Sequence, residues 1–290
     1  MAKAELKDLL EEILRAYPPI KRVKDDPVQF ARGFYDKKRS KAEIEAVALF
    51  SAMLSYGSAK QFIKIIKATL EMCDFDFLLF IQQKARFRNT FDSYKWPAYR
   101  LSTSEEIKAF ACAIGLTIQN EGGLETVFLS GYLPDRDIIA GLTKLHGKIS
   151  EYAAQIVSPL PRGLRHLLPD PASGSCAKRW QMFLRWMVRR NDGVDMGLWK
   201  EVYPADLIIP LDRHISKISR NLGLTQKTTD TLNTAKEITE ALSKFSPKDP
   251  VKYDFALCHL GISGECTHGR TAEPCQKCLL KPCCAVKHGK

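Results

Sequence analysis

Apolar residues recur along this chain at helical spacing, and almost nowhere in strict alternation. Residues 3–16 carry Leu6, Leu9, Leu10, Ile13 and Leu14 on one stripe, which predicts an amphipathic helix. Residues 41–54 and 59–73 predict two more, separated by Tyr56-Gly57-Ser58. Asp26-Pro27 reads as a helix start with proline in the first turn. The run Ser102-Thr103-Ser104-Glu105-Glu106 reads as a cap that opens a helix over 105–119. Gly122-Gly123 breaks the pattern, and Asp135 is expected to open a helix reaching about residue 156. Residues 158–175 are rich in Pro, Gly and Ser, so they predict a loop or hairpin leading into a helix over 176–190. Later helices are expected at 211–221, at 231–244 and after Asp249-Pro250. The expected fold class is all-α.

Composition narrows the function classes. The 290 residues are 45% hydrophobic and 27% charged, which excludes disorder as the main state. The longest apolar run, residues 75–81, is too short to cross a bilayer. Residues 1–17 are charged throughout and do not read as a signal peptide, so a cytoplasmic, thiol-reducing home is expected. Net charge is +11, which favours a polyanionic partner.

Cysteine placement changes the picture more than charge does. Six of nine cysteines, Cys258, Cys266, Cys275, Cys278, Cys283 and Cys284, fall in the last 33 residues. In a reducing compartment this crowding points to metal or cluster ligation, not disulfides. Cys275 and Cys278 form a Cys-x2-Cys pair, with eight residues between Cys266 and Cys275 and five between Cys278 and Cys284. Cys283 competes for the fourth place. A zinc ribbon normally needs two such pairs, so a [4Fe–4S] cluster fits better, with zinc as the alternative.

The segment Cys266-x8-Cys275-x2-Cys278-x5-Cys284 resembles the iron–sulfur loop of the endonuclease III family, DNA glycosylases of the helix-hairpin-helix superfamily. Its x2 and x5 spacings match and its first spacing is longer. Upstream, the apolar run Leu207 to Leu211, then Asp212, His214 and a basic helix, resembles the family segment that carries the catalytic aspartate. Residues 47–54 resemble an early helix of the family's barrel. The hairpin departs: 168–179 reads LPDPASGSCAKR, with Gly174 its one glycine, and Lys178 lies 34 residues before Asp212. That interval is closer to the archaeal 8-oxoguanine glycosylases. The whole chain is also similar to a bacterial family of this superfamily catalogued as a domain of unknown function.

The resemblance implies a two-lobed helical fold. Residues 31–205 would form a barrel lobe with the hairpin region. Residues 1–30 and 206–290 would form a second lobe, with the cluster loop at 265–285. It implies Lys178 as the nucleophile at C1′ of the sugar, with Lys200 as its alternative, and Asp212 as the carboxylate that opposes oxocarbenium-like charge or takes a proton. The amine attacks only when neutral, and its reference pKa is about 10.4. The partner expected is double-stranded DNA carrying a damaged base, 8-oxoguanine foremost, met by a monomer near the nucleoid and by no membrane.

Arg179, Arg185 and His214, with Arg270 and Lys277 of the cluster loop, are the expected backbone contacts. Met53, Leu54, Ser55 or Tyr56 would wedge the gap left by a flipped base. Phe183, Trp186 or Trp199 would stack on that base. A catalytically silent DNA-binding relative and a zinc-binding interaction module are the competing expectations.

Overall fold

The computed structural model describes residues 3–82, 94–190, 192–268 and 271–286. Among the described residues the regular structure is helical, with two isolated β-bridges and no strand. The helices are α1 (Lys3–Ala16), α2 (Val28–Asp36), α3 (Lys41–Leu54), α4 (Ala59–Met72), α5 (Phe77–Gln82), α6 (Ser104–Glu121), α7 (Leu124–Tyr132) and α8 (Ile138–Ile156). They continue as α9 (Arg162–Leu167), α10 (Lys178–Val188), α11 (Arg213–Asn221), α12 (Leu232–Ser243), α13 (Asp254–Ile262) and α14 (Ala272–Lys277). Among these residues no helix is long and apolar enough to cross a membrane.

The chain divides into two compact units. One comprises Val23–Ser173 and Trp186–Glu201, the other Met1–Arg22, Gly174–Arg185 and Val202–Lys290. This differs from the expected division at residues 30 and 205. Residues 174–185 pack with the Asp212 segment: Leu232 N–H donates to Gly174 C=O at 3.0 Å, and the Cys176 thiol donates to Leu211 C=O at 3.4 Å.

In the first unit, α3 starts at a capping box in which Ser40 and Glu43 satisfy each other's orphan groups. Its apolar residues run round the whole helix, and residues 44–54 are all buried. Glu45 is buried with them. Its two oxygens accept from Trp199 Nε1 at 2.7 Å and from Leu124 N–H at 3.0 Å, so the carboxylate is satisfied. Burial raises its pKa all the same. Helix α6 repeats the capping box with Thr103 and Glu106. Helix α8 begins at Ile138, later than expected, because the side chain of Asp137, not Asp135, accepts from Ile139 and Ala140 N–H. The α7–α8 pair closes tightly: a Cβ on Gly141 would meet Phe128 at 2.6 Å, and one on Gly131 would meet Ala140 C=O at 2.6 Å. Past α10, Arg189 bonds Asp192 at 2.7 Å and Asp195 at 2.6 Å, a buried ion group.

In the second unit, α1 buries Leu6, Leu10 and Ile13 and packs on α13, while α11 also packs on α13. The turn at the end of α1 is tethered by Tyr17, whose hydroxyl donates to Glu265. Midway along α1, Glu11 accepts from Lys252 and Tyr253, each at 2.6 Å.

Candidate functional site

Asp212 is the N-cap of α11. Its Oδ1 accepts from His214 N–H at 2.8 Å and Ile215 N–H at 2.9 Å. That leaves Oδ2 for other partners. The Cys258 thiol, on α13, donates to Oδ2 at 3.2 Å. The ammonium Nζ of Lys178 lies 4.0 Å from the same oxygen. Side-chain exposure is 32% for Lys178 and 19% for Asp212, so the pair is reachable from solvent. Lys178 is the first residue of α10. Ala177 before it has φ +47°, a left-handed conformation that a non-glycine residue adopts at an energetic cost. Burial, and then the charge of Asp212, push the Cys258 thiol well above the ordinary cysteine range.

A second feature lies at the other end of α11, whose nine residues span roughly 13 Å. Ile218, Asn221 and Leu222 wall a cavity of about 350 Å³. Cys266, Cys275, Cys278 and Cys284 line the same cavity. Cys283 is buried elsewhere, 3% exposed, so Cys284 supplies the fourth thiol on these walls. Ala285 N–H donates to Asn221 C=O at 2.7 Å, and Cys266 N–H to Leu260 C=O at 2.9 Å, which close the loop on its helices. Burial raises Cys266 and Cys278, and neighbouring thiols add to it, since gathered sulfurs disfavour negative charge without a cation. Among the described residues no three His, Cys, Asp or Glu side chains converge tightly enough to hold a single ion. The thiols surround a space instead.

An adjoining cavity of about 270 Å³ is lined by Arg213, His214, Lys217, Thr267, His268 and Thr271, among others, with no carboxylate on its walls among the described residues. His214 sits against Gly261, where a Cβ would meet its ring at 2.4 Å, and its ring lies 5.8 Å from that of His268.

Several expected residues fall elsewhere. Arg185 is not a surface contact. It is 4% exposed and forms an ion pair with Asp254, also 4% exposed, with its guanidinium over the Phe255 ring at 5.3 Å. A buried guanidinium with a buried carboxylate is a packing element, unavailable to a DNA backbone. Phe183, Trp186 and Trp199 are fully buried core, so none is a stacking surface here. Of the wedge candidates Met53, Leu54 and Ser55 are buried, while Tyr56 is half-buried against Tyr99 and His166. Arg179 is half-buried, and Lys277 is exposed and pairs with Glu273 at 3.2 Å. Lys200 is exposed and belongs to the other unit from Asp212. Arg270 lies outside the described residues.

The cysteine spacing assigns Cys258 no role. The signal that could have singled it out is its i+4 spacing from Asp254, which puts the two on one face of α13.

Neither a curated protein nor a solved structure matches the chain. One family model does, over residues 26–263, a span that holds Lys178, Asp212 and Cys258 and stops short of Cys266. By that match over most of its length, the chain belongs to the family described as "Protein of unknown function (DUF2400)".

Proposed function

We propose that this protein is a DNA base-excision glycosylase with an associated lyase activity, acting in the cytoplasm on double-stranded DNA that carries an oxidised base of the 8-oxoguanine type. The observation that carries the reading is the Lys178–Asp212 pair. An amine and a carboxylate 34 residues apart in sequence stand 4.0 Å from each other at the start of two helices. That is the constellation that cleavage of an N-glycosidic bond by an amine requires.

The Lys178 amine, once neutral, attacks C1′ and the N-glycosidic bond breaks. The base leaves with the bonding electron pair and takes up a proton. Asp212 accepts the proton lost by the lysine and opposes positive charge at C1′. Opening of the sugar gives a Schiff base, and loss of the C2′ proton then expels the 3′-phosphate. The target base must leave the stack, at a cost of a few kcal/mol that is least for damaged bases.

Four thiols on the walls of a 350 Å³ cavity fit a [4Fe–4S] cluster, whose four irons take four thiolates, better than one zinc ion. Cys266, Cys275, Cys278 and Cys284 would hold it, and its role would be to order the loop. The carboxylate-free wall around Arg213, His214 and Lys217 suits a backbone phosphate, with Arg179 and Lys277 as further contacts. A two-lobed helix-hairpin-helix arrangement follows from the same reading.

Borohydride trapping on a panel of lesion-bearing duplexes tests it. A covalent protein–DNA adduct is expected with an oxidised purine, and none with Lys178→Gln. Full base release by Lys178→Gln would exclude the amine mechanism. Purified protein is expected to be brown. A colourless protein with stoichiometric zinc would remove the cluster.

A further inference from the structure

We propose that His268 sets the electron affinity of a cluster held by the four thiols, through a hydrogen bond from its ring Nδ1 to the Cys266 sulfur. The proposal rests on the cluster half of the functional reading and is independent of the glycosylase half.

The contact is on the loop itself. Nδ1 of His268 lies 3.4 Å from Sγ of Cys266, two residues earlier, and the backbone N–H of His268 faces the same sulfur. His268 has φ +55°, a left-handed conformation that histidine tolerates better than most non-glycine residues. Against a free thiol the ring nitrogen could donate or accept. A cysteine bound to iron is a thiolate with no proton to give, so it accepts and the ring donates. Donation draws electron density from the sulfur and favours the more electron-rich state of the cluster. The reduction potential therefore rises.

Other sulfurs are served differently. The Cys278 sulfur faces the backbone N–H groups of Leu280 and Lys281, donors that every sequence with this backbone would supply. The Thr267 hydroxyl stands 3.5 Å from the Cys275 sulfur, but it donates to Thr271 C=O at 3.1 Å, so its one proton is already engaged. The imidazole of His268 is thus a donor chosen by the side chain. The same ring lines both the thiol cavity and the adjoining cavity of Arg213, His214 and Lys217, so its bulk also walls the space around the sulfurs. The consequence is protective. A cluster of higher potential is harder to oxidise, so a cluster that orders the loop is kept from loss in air.

Two substitutions separate the donor from the bulk. His268→Asn keeps a side-chain N–H the same number of bonds from the backbone and suits the left-handed conformation. His268→Leu keeps an apolar wall without a donor. Midpoint potentials are read by protein-film voltammetry on the loaded proteins, with iron and sulfide counted per chain. The leucine variant is expected at a lower midpoint than wild type, with the asparagine variant close to wild type. Bleaching of the visible absorbance in air is expected to be several-fold faster with leucine alone. A direct signature comes from wild type labelled with histidine carrying 15N in the ring only. After γ-irradiation in frozen solution reduces the cluster, a 15N hyperfine coupling is expected, and it should vanish in His268→Asn.

Equal midpoints in the three proteins, equal bleaching, or no ring-nitrogen coupling in wild type overturns the proposal. If the leucine variant fails to load, the coupling in wild type still decides. A wild-type protein that takes up no cluster on anaerobic reconstitution removes the cluster reading and this role together, before any variant is made. If the brown protein shows the coupling and the shifted midpoint but cuts no duplex, the role of His268 stands and the glycosylase reading falls.

Discussion

Two cation–carboxylate groups flank helix α10, and they are built on opposite principles. After its C-terminal end, Arg189 holds Asp195 at 2.6 Å and Asp192 at 2.7 Å, and Asp192 also caps Val194 and Asp195 N–H. At its first residue, Lys178 stands 4.0 Å from Oδ2 of Asp212, an oxygen that also accepts from the Cys258 thiol. The first group is closed and buried, with Arg189 5% exposed. Its guanidinium holds Asp192 below the usual carboxylate range against the opposing effect of burial. The second is more open: its partners stand farther apart and are partly exposed. The contrast is between a closed, buried pair and a looser one within reach of solvent.

The largest effect is expected at the open pair, in function alone. Lys178→Gln should abolish the borohydride-trapped adduct, while thermal midpoint changes by no more than a degree or two, because a partly exposed pair contributes about 0–1 kcal/mol. Next comes the closed pair, in stability alone. Arg189→Ala leaves Asp195 buried without its cation and should cost about 3–5 kcal/mol in urea unfolding. If Arg189→Ala proved neutral, the two groups would not differ as described.

Asp212 sharpens the comparison, because it is both a cap and the expected acid–base group. Asn caps a helix as well as Asp does, so Asp212→Asn should keep stability yet lose base release by roughly 10²–10⁴-fold. Asp212→Ala should lose both, with about 1 kcal/mol of stability.

The smallest effect belongs to Glu11. Burial raises its carboxyl, but hydrogen bonds from Lys252 and Tyr253 outweigh this and hold it below its ordinary 4.5. A depressed folded value means the contribution is present above pH 4.5 and is lost as pH falls through the folded value. Glu11→Gln should therefore cost no more than about 1 kcal/mol near pH 7 and nothing in strong acid, read from unfolding curves at several pH values.

Helix positions were largely legible in the sequence, since 3.6-residue periodicity and capping boxes are local signals. Ser40 with Glu43 and Thr103 with Glu106 show this. Helix α7 was missed because Gly122-Gly123 reads as a break and Leu124–Tyr132 is a short segment. The thiols at 266, 275, 278 and 284 were legible as one set because they crowd into one short segment around a Cys-x2-Cys pair, and they line one cavity. Arg185 was misread because burial of a charge depends on its partner, and Asp254 is 69 residues away. Cys258 was missed for the same reason: its meaning is a contact with a residue 46 positions distant, which no local pattern encodes.

The tether between Tyr17 and Glu265 has a consequence for biosynthesis. The two residues are 248 positions apart. At translation rates of roughly 5–20 residues per second, Glu265 follows Tyr17 by on the order of ten to fifty seconds. Throughout that interval α1 has emerged while α13, against which Leu6, Leu10 and Ile13 are finally covered, is still unmade. The nascent chain therefore carries an uncovered apolar helix until α13 is made.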